Sequence, residues 1–92
     1  MPRHPLVPPV LYLPVRESSD GPVAEVRRLA DGRSTLLAYT ALDRLAVGCG
    51  ESQPWVVMHT QELSQLKDSQ PFEVVSFDVE VPAVFRANGR LA

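Results

Sequence analysis

The sequence predicts a single small α/β domain, a mixed sheet of about five strands in which a β-hairpin is followed by a strand-helix-strand-helix-strand run with two short helices. One observation behind this is a unit that occurs twice, an unbroken apolar strand that runs into a threonine and then a short amphipathic stretch: Leu36-Leu37-Ala38-Tyr39-Thr40-Ala41-Leu42 and Trp55-Val56-Val57-Met58-His59-Thr60-Gln61. Another is Asp31-Gly32 between two strand-like runs, a strong short-range hairpin signal because the tight turn that matches strand twist demands positive φ. The third is size: 92 residues, 45% hydrophobic and 22% charged, make one core near the lower limit of independent stability and argue against disorder.

Nine prolines mark the joints. Four of them fall in residues 1–9, where they remove backbone donors and favour extended chain, so this stretch reads as a loose arm. Residues 10–15 are an apolar strand, with Pro14 acceptable at an edge or a bulge. Residues 17–22, Glu-Ser-Ser-Asp-Gly-Pro, read as a loop. A strand at 24–29 pairs through Asp31-Gly32 with one that begins near Thr35. Leu36-Leu37-Ala38-Tyr39 lacks alternation, as expected where both faces are covered, which places this strand centrally.

Thr40 is read as the N-cap of the first helix, with Asp43 completing a capping box and Leu42, Leu45 and Ala46 as the inward stripe. Gly48-Cys49-Gly50 ends it. Residues 55–58 form a second unbroken apolar strand with Trp55 in the core, Thr60 a second N-cap, and Leu63 and Leu66 the stripe of the second helix. After the break at 69–71, a last strand over 73–81 puts Val75, Phe77, Val79 and Val81 on one face and Asp78 and Glu80 on the other. Strands joined by helices pair in parallel, and right-handed crossovers in spatial sequence put both helices on one face. The opposite face then needs a cover: the arm, the tail at 82–92 or a second molecule.

The segment from Asp31-Gly32-Arg33 through Leu36-Leu37-Ala38-Tyr39-Thr40-Ala41-Leu42-Asp43, then Trp55 to Met58 and Leu63 to Leu66, resembles the SseB-like N-terminal domain over residues 10–81. Tyr39 stands where that pattern has Phe. The resemblance implies a small bacterial α/β protein and carries no catalytic residues with it.

Eleven acidic against nine basic residues give a formal charge of −2, with no drive toward phosphate backbones or anionic lipid, so neither a nucleic-acid nor a membrane partner is expected. Arg27, Arg28 and Arg33 near Glu25 and Asp31 fall short of an extended basic face. Cys49 is the sole cysteine, which excludes an internal disulfide and points to a reducing compartment; with no export signal, the cytoplasm is expected. At a helix C-terminus its thiolate is disfavoured, so Cys49 reads as structural. His59 ends a strand where α/β sheets place ligands, yet neither it nor His4 has a partner at metal-ligand spacing, so no metal or cofactor is expected. Thr40, His59 and Thr60 together are the candidate ligand site, in competition with capping. The reading preferred is a non-enzymatic interaction or accessory module, self-associating as a homodimer or binding a protein through the sheet face or edge.

Overall fold

A computed structural model describes residues 8–92 of the chain. Its strands fall into two three-stranded sheets and a two-stranded ribbon rather than one sheet of five. The first sheet holds β1 (Val10–Ser18) between β2 (Gly21–Ala24) and β5 (Trp55–His59), all antiparallel. The second holds β4 (Ser34–Ala38) between β3 (Val26–Arg28), antiparallel, and β6 (Val74–Phe77), parallel. The two are stitched where β2 runs into β3. Glu25 N–H donates to the Pro14 carbonyl at 3.0 Å, and Leu37 N–H to the Glu25 carbonyl at 3.2 Å. Next to this seam Tyr12 and Tyr39 exchange backbone bonds of 2.8 and 2.9 Å. Pro14, with no N–H to offer, sits at the seam and is fully buried.

Alternation along β4 builds two cores. Leu36 and Ala38 point into the first, with Leu11, Leu13, Ala24 and Phe72, and the half-buried Val56, Met58, Leu63, Leu66 and Val75 close it. Leu37 and Tyr39 point into the second, with Leu45, Cys49, Val81 and Leu91. The unbroken apolar run of β4 is thus covered on both faces, as its sequence predicts. The helices α1 (Leu42–Cys49) and α2 (Leu63–Ser69) serve different cores and lie on opposite faces of β4, which corrects the one-face expectation.

The parallel expectation holds only for β4 and β6. β5 is not their neighbour but an edge strand on β1, because the inward row Val56 and Met58 matches Leu13 and Leu11 across an antiparallel ladder. Its other row faces solvent: Trp55 is 42% and Val57 52% exposed, so Trp55 is not a core residue. A four-residue apolar run reads the same whether one face or two are covered.

The Asp31-Gly32 hairpin forms as predicted, with Gly32 at φ 94° and Asp31 Oδ1 accepting from Arg33 N–H at 3.0 Å. Residues 17–22 are not a loop; β1 and β2 pair to their ends and only Ser19 and Asp20 turn, with Gly21 at φ 104°. β6 stops at Phe77 because Asp78 takes φ 57°, and this rotation sends Val81 to the second core while Val75 packs in the first. Beyond Pro82, a 3₁₀ turn (Ala83–Phe85) leads into the ribbon β7 (Arg86–Ala87) and β8 (Arg90–Leu91), turned by Asn88-Gly89 at φ 57° and 79°. Asn-Gly is the signature of this turn and was legible in the sequence. The arm expected over 1–9 lies, up to residue 7, outside the described residues, and His4 with it.

Candidate functional site

The three residues singled out by sequence are not brought together by any hydrogen bond, and neither threonine is an N-cap. Ala41 occupies the cap of α1 without a side-chain bond. Thr40 reaches across instead: its N–H and hydroxyl each donate to Asp78 at 2.8 Å, and Arg44 donates to the same carboxylate at 3.0 Å. Burial opposes ionisation of Asp78, but the Thr40 backbone bond, the Thr40 hydroxyl and the Arg44 guanidinium outweigh it and hold the carboxyl below its usual range. Asp78 is therefore a tie between the end of β6 and the start of α1, not part of a solvated acidic edge. Glu80 does face water, 3.7 Å from Arg86.

His59 caps the 3₁₀ turn Thr60–Glu62, with its N–H donating to Glu62 Oε1 at 3.3 Å. The Thr60 hydroxyl donates to the Pro8 carbonyl and its N–H to the Pro9 carbonyl, the latter at 2.9 Å. A shallow cleft lined by Pro8, Pro9, His59, Thr60 and Gln61 remains beside them. Cys49 is fully buried; burial pushes its thiol up, and burial followed by the neighbouring Cys49 does the same to the Tyr39 hydroxyl, which donates to the Val79 carbonyl at 2.6 Å. Of the stripe proposed for α1, Leu45 is buried whereas Leu42 is exposed, and Cys49 takes the next inward place. Among the described residues no group of three or more His, Cys, Asp or Glu side chains is placed to hold a metal, and no helix is long and apolar enough to cross a membrane.

A second concavity, of similar volume, lies elsewhere. On the face of β4 that carries Thr35 and Leu37, α1 and the tail cover Leu37 and Tyr39 but leave a groove of about 460 Å³, floored by Leu37 and the Thr35–Ser76 hydroxyl pair, 2.6 Å apart. Val79, Val81, Pro82 and Phe85 form its apolar wall. At its rim Arg27 meets the buried Glu25 at 3.1 Å, at an angle that leaves Glu25 Oε1 and Arg27 Nε without a hydrogen bond, and also donates to the Ala92 carbonyl at 3.1 Å. Arg28 is bonded to the Gly32 carbonyl and Arg33 to Asp31, so the hairpin arginines are engaged within the hairpin itself.

Sequence reasoning missed two side chains that tie the sheets and the tail together. Gln53, buried, donates to the carbonyls of Val15 and Pro54 and accepts from Leu91 N–H at 2.7 Å, fastening the tail over the second core. Gln70 exchanges two 3.0 Å bonds with the backbone of Ala24, closing the outer edge of β2 as another strand would. No local pattern marks either residue. No family model, curated protein or solved structure matches the chain.

Proposed function

We propose that this protein is a non-enzymatic interaction or accessory module, binding another protein or a second copy of itself through the edge of the first sheet and the incompletely covered face of the second. The observation that carries the reading is the large apolar side chain left in solvent at these places: Trp55 and Val57 on the edge strand, Val79 and Phe85 along the groove, and Phe77 at the end of β6. Apolar residues gathered at a sheet edge and a groove, rather than scattered singly, mark association surfaces. The chemistry-bearing side chains support the same reading, since Thr40 and Asp78 satisfy each other, Thr60 is bonded to Pro8, and Cys49 is buried. Hairpin, apolar strand and short helix come in the order that the likeness to the SseB-like N-terminal domain rests on, and that kinship is part of the proposal.

The test is light scattering of the full chain together with affinity capture from the source cells, each repeated with Trp55→Lys and Phe85→Lys. Self-association, or a stoichiometric partner, that is lost in one of the two variants supports the proposal. A monomer that captures no stoichiometric partner overturns it.

The groove also favours a second reading, a small-ligand site. Its volume of about 460 Å³ falls within the range of ligand pockets, and its floor offers two hydroxyls in an apolar setting. A thermal-shift screen with nucleotides, phosphate, amino acids and divalent metals decides between positions: a rise in midpoint lost in Ser76→Ala places a ligand in the groove, and one lost in His59→Ala or Thr60→Ala places it at the strand ends.

A further inference from the structure

The outer edge of β5 carries more information than its apolar side chains. In the ladder with β1, Leu11 and Leu13 stand opposite Met58 and Val56, and Val15 N–H donates to the Pro54 carbonyl at 3.0 Å. Tyr12 directs both its backbone groups the other way, to Tyr39. Backbone direction alternates along a strand, so Val56 and Met58 face β1, while Trp55, Val57 and His59 present N–H and C=O outward. His59 N–H is already taken by Glu62 Oε1. Among the described residues nothing takes the outward N–H and C=O groups of Trp55 and Val57.

The edge therefore offers two donors and two acceptors, on a stretch, Pro54 to Met58, that has no charged side chain. Charges, interior prolines and bulges are the means by which exposed edges are kept from pairing, and none interrupts β5 between Trp55 and Met58. The Trp55 ring is held ready by an edge-to-face contact with Tyr12, centroids 5.7 Å apart.

We propose that β5 pairs antiparallel with β5 of a second copy, about a two-fold axis beside Val56, so that Trp55 lies opposite the partner's Val57 and Val57 opposite the partner's Trp55. The inference rests on the interaction-module reading and names its partner. A second copy is the occupant that the strand's own inventory selects. In this register each copy's two donors meet the other's two acceptors, so the outward groups of Trp55 and Val57 are all satisfied. It also sets an aromatic against a β-branched side chain twice over, a favourable cross-strand pair. A register centred on Val57 would instead set Trp55 against the partner's His59, whose N–H belongs to Glu62. Pairing joins the three-stranded sheets of the two copies into one continuous sheet, and the half-buried row of Val56 and Met58 runs on across the axis.

Cysteine cross-linking of the full chain tests the register. Val56 and the partner's Val56 form the non-hydrogen-bonded pair at the axis, with Cα atoms about 4.5 Å apart, at the short end of the range a disulfide spans. Under a mild oxidant, Val56→Cys is expected to give a covalent dimer, whereas Val57→Cys and the native chain, whose Cys49 is buried, are not. Val57→Pro, which removes one outward donor without touching a bond to β1, is expected to shift the native protein to monomer. A dimer that cross-links through Val57→Cys faster than through Val56→Cys overturns this register. A dimer unaffected by Val57→Pro overturns the edge as its interface. A native monomer at about 100 μM, with no cross-link in either variant, overturns the self-pairing itself, while the interaction-module reading then stands or falls on whether a different protein is captured.

Discussion

Asp78 ties the end of β6 to the start of α1, and its chemistry is the most directly testable at the level of a single residue. Its carboxylate is stabilised in the folded chain by Thr40 and Arg44, so its contribution is complete above the unfolded carboxyl range, near 3.9, and is lost as pH falls through the lower folded value. Asp78→Asn keeps a residue type that tolerates φ 57° but removes the charge; it is expected to cost about 1–3 kcal/mol at neutral pH and to weaken the loss of stability on acidification below the ordinary carboxylate range, measured by urea titration across pH. An unchanged acid limb would refute the assignment. Gly48 makes a different kind of demand. A Cβ there would stand 2.6 Å from the Tyr39 ring, so Gly48→Ala is expected to destabilise by about 1–3 kcal/mol through overpacking, although it would be favourable on an isolated helix. Cys49 should react with a thiol reagent only as fast as the chain opens, and labelling at the rate of a free cysteine would contradict its burial. The structural status of Cys49 was legible because its two glycine neighbours and its helix-end position are local. The role of Thr40 was not, since a capping box explains the same residues and Asp78 lies 38 positions away.

Side chains also stand in for missing strands and caps at the scale of elements. Gln53 fixes β8 to the seam between β1 and β5, and Gln70 closes β2. Gln53→Ala leaves buried backbone groups unpaired, each worth about 1–3 kcal/mol, and should release the tail before the rest unfolds. The expected readout is faster amide exchange at Leu91 with little change at Leu11 and Leu13; uniform acceleration would mean that the tail is not a separable unit. The Asp31-Gly32 hairpin is readable because the turn demands positive φ at a named residue, and Asn88-Gly89 carries the same signal within residues 82–92. β5 was misplaced for a physical reason: hydrophobic content reports burial of a strand, not which neighbour buries it. Adjacency came from long-range matching of Val56 and Met58 with Leu13 and Leu11, which periodicity cannot express.

Across the whole molecule, one strand, β4, is shared between two cores, and each helix serves one of them. The class, the single domain and the central place of β4 follow from the apolar pattern. The division into two sheets does not, because it depends on Glu25, where the chain leaves β1 and joins β4 through one donated and one accepted backbone bond. The sequence also carried the idea that two short helices cover too little apolar sheet, and the structure places the shortfall on the β5 edge and along the groove by Leu37, Val79 and Phe85. The proposed function rests on those surfaces, and its self-pairing form depends on whether two copies associate through the β5 edge. Sedimentation velocity of the full chain over about 1–500 μM measures this most directly. The account predicts a reversible monomer–dimer shift within that range that Trp55→Lys abolishes while leaving the fold intact. A chain that sediments as a monomer throughout, or a dimer indifferent to Trp55→Lys, would contradict the pairing of two copies through β5.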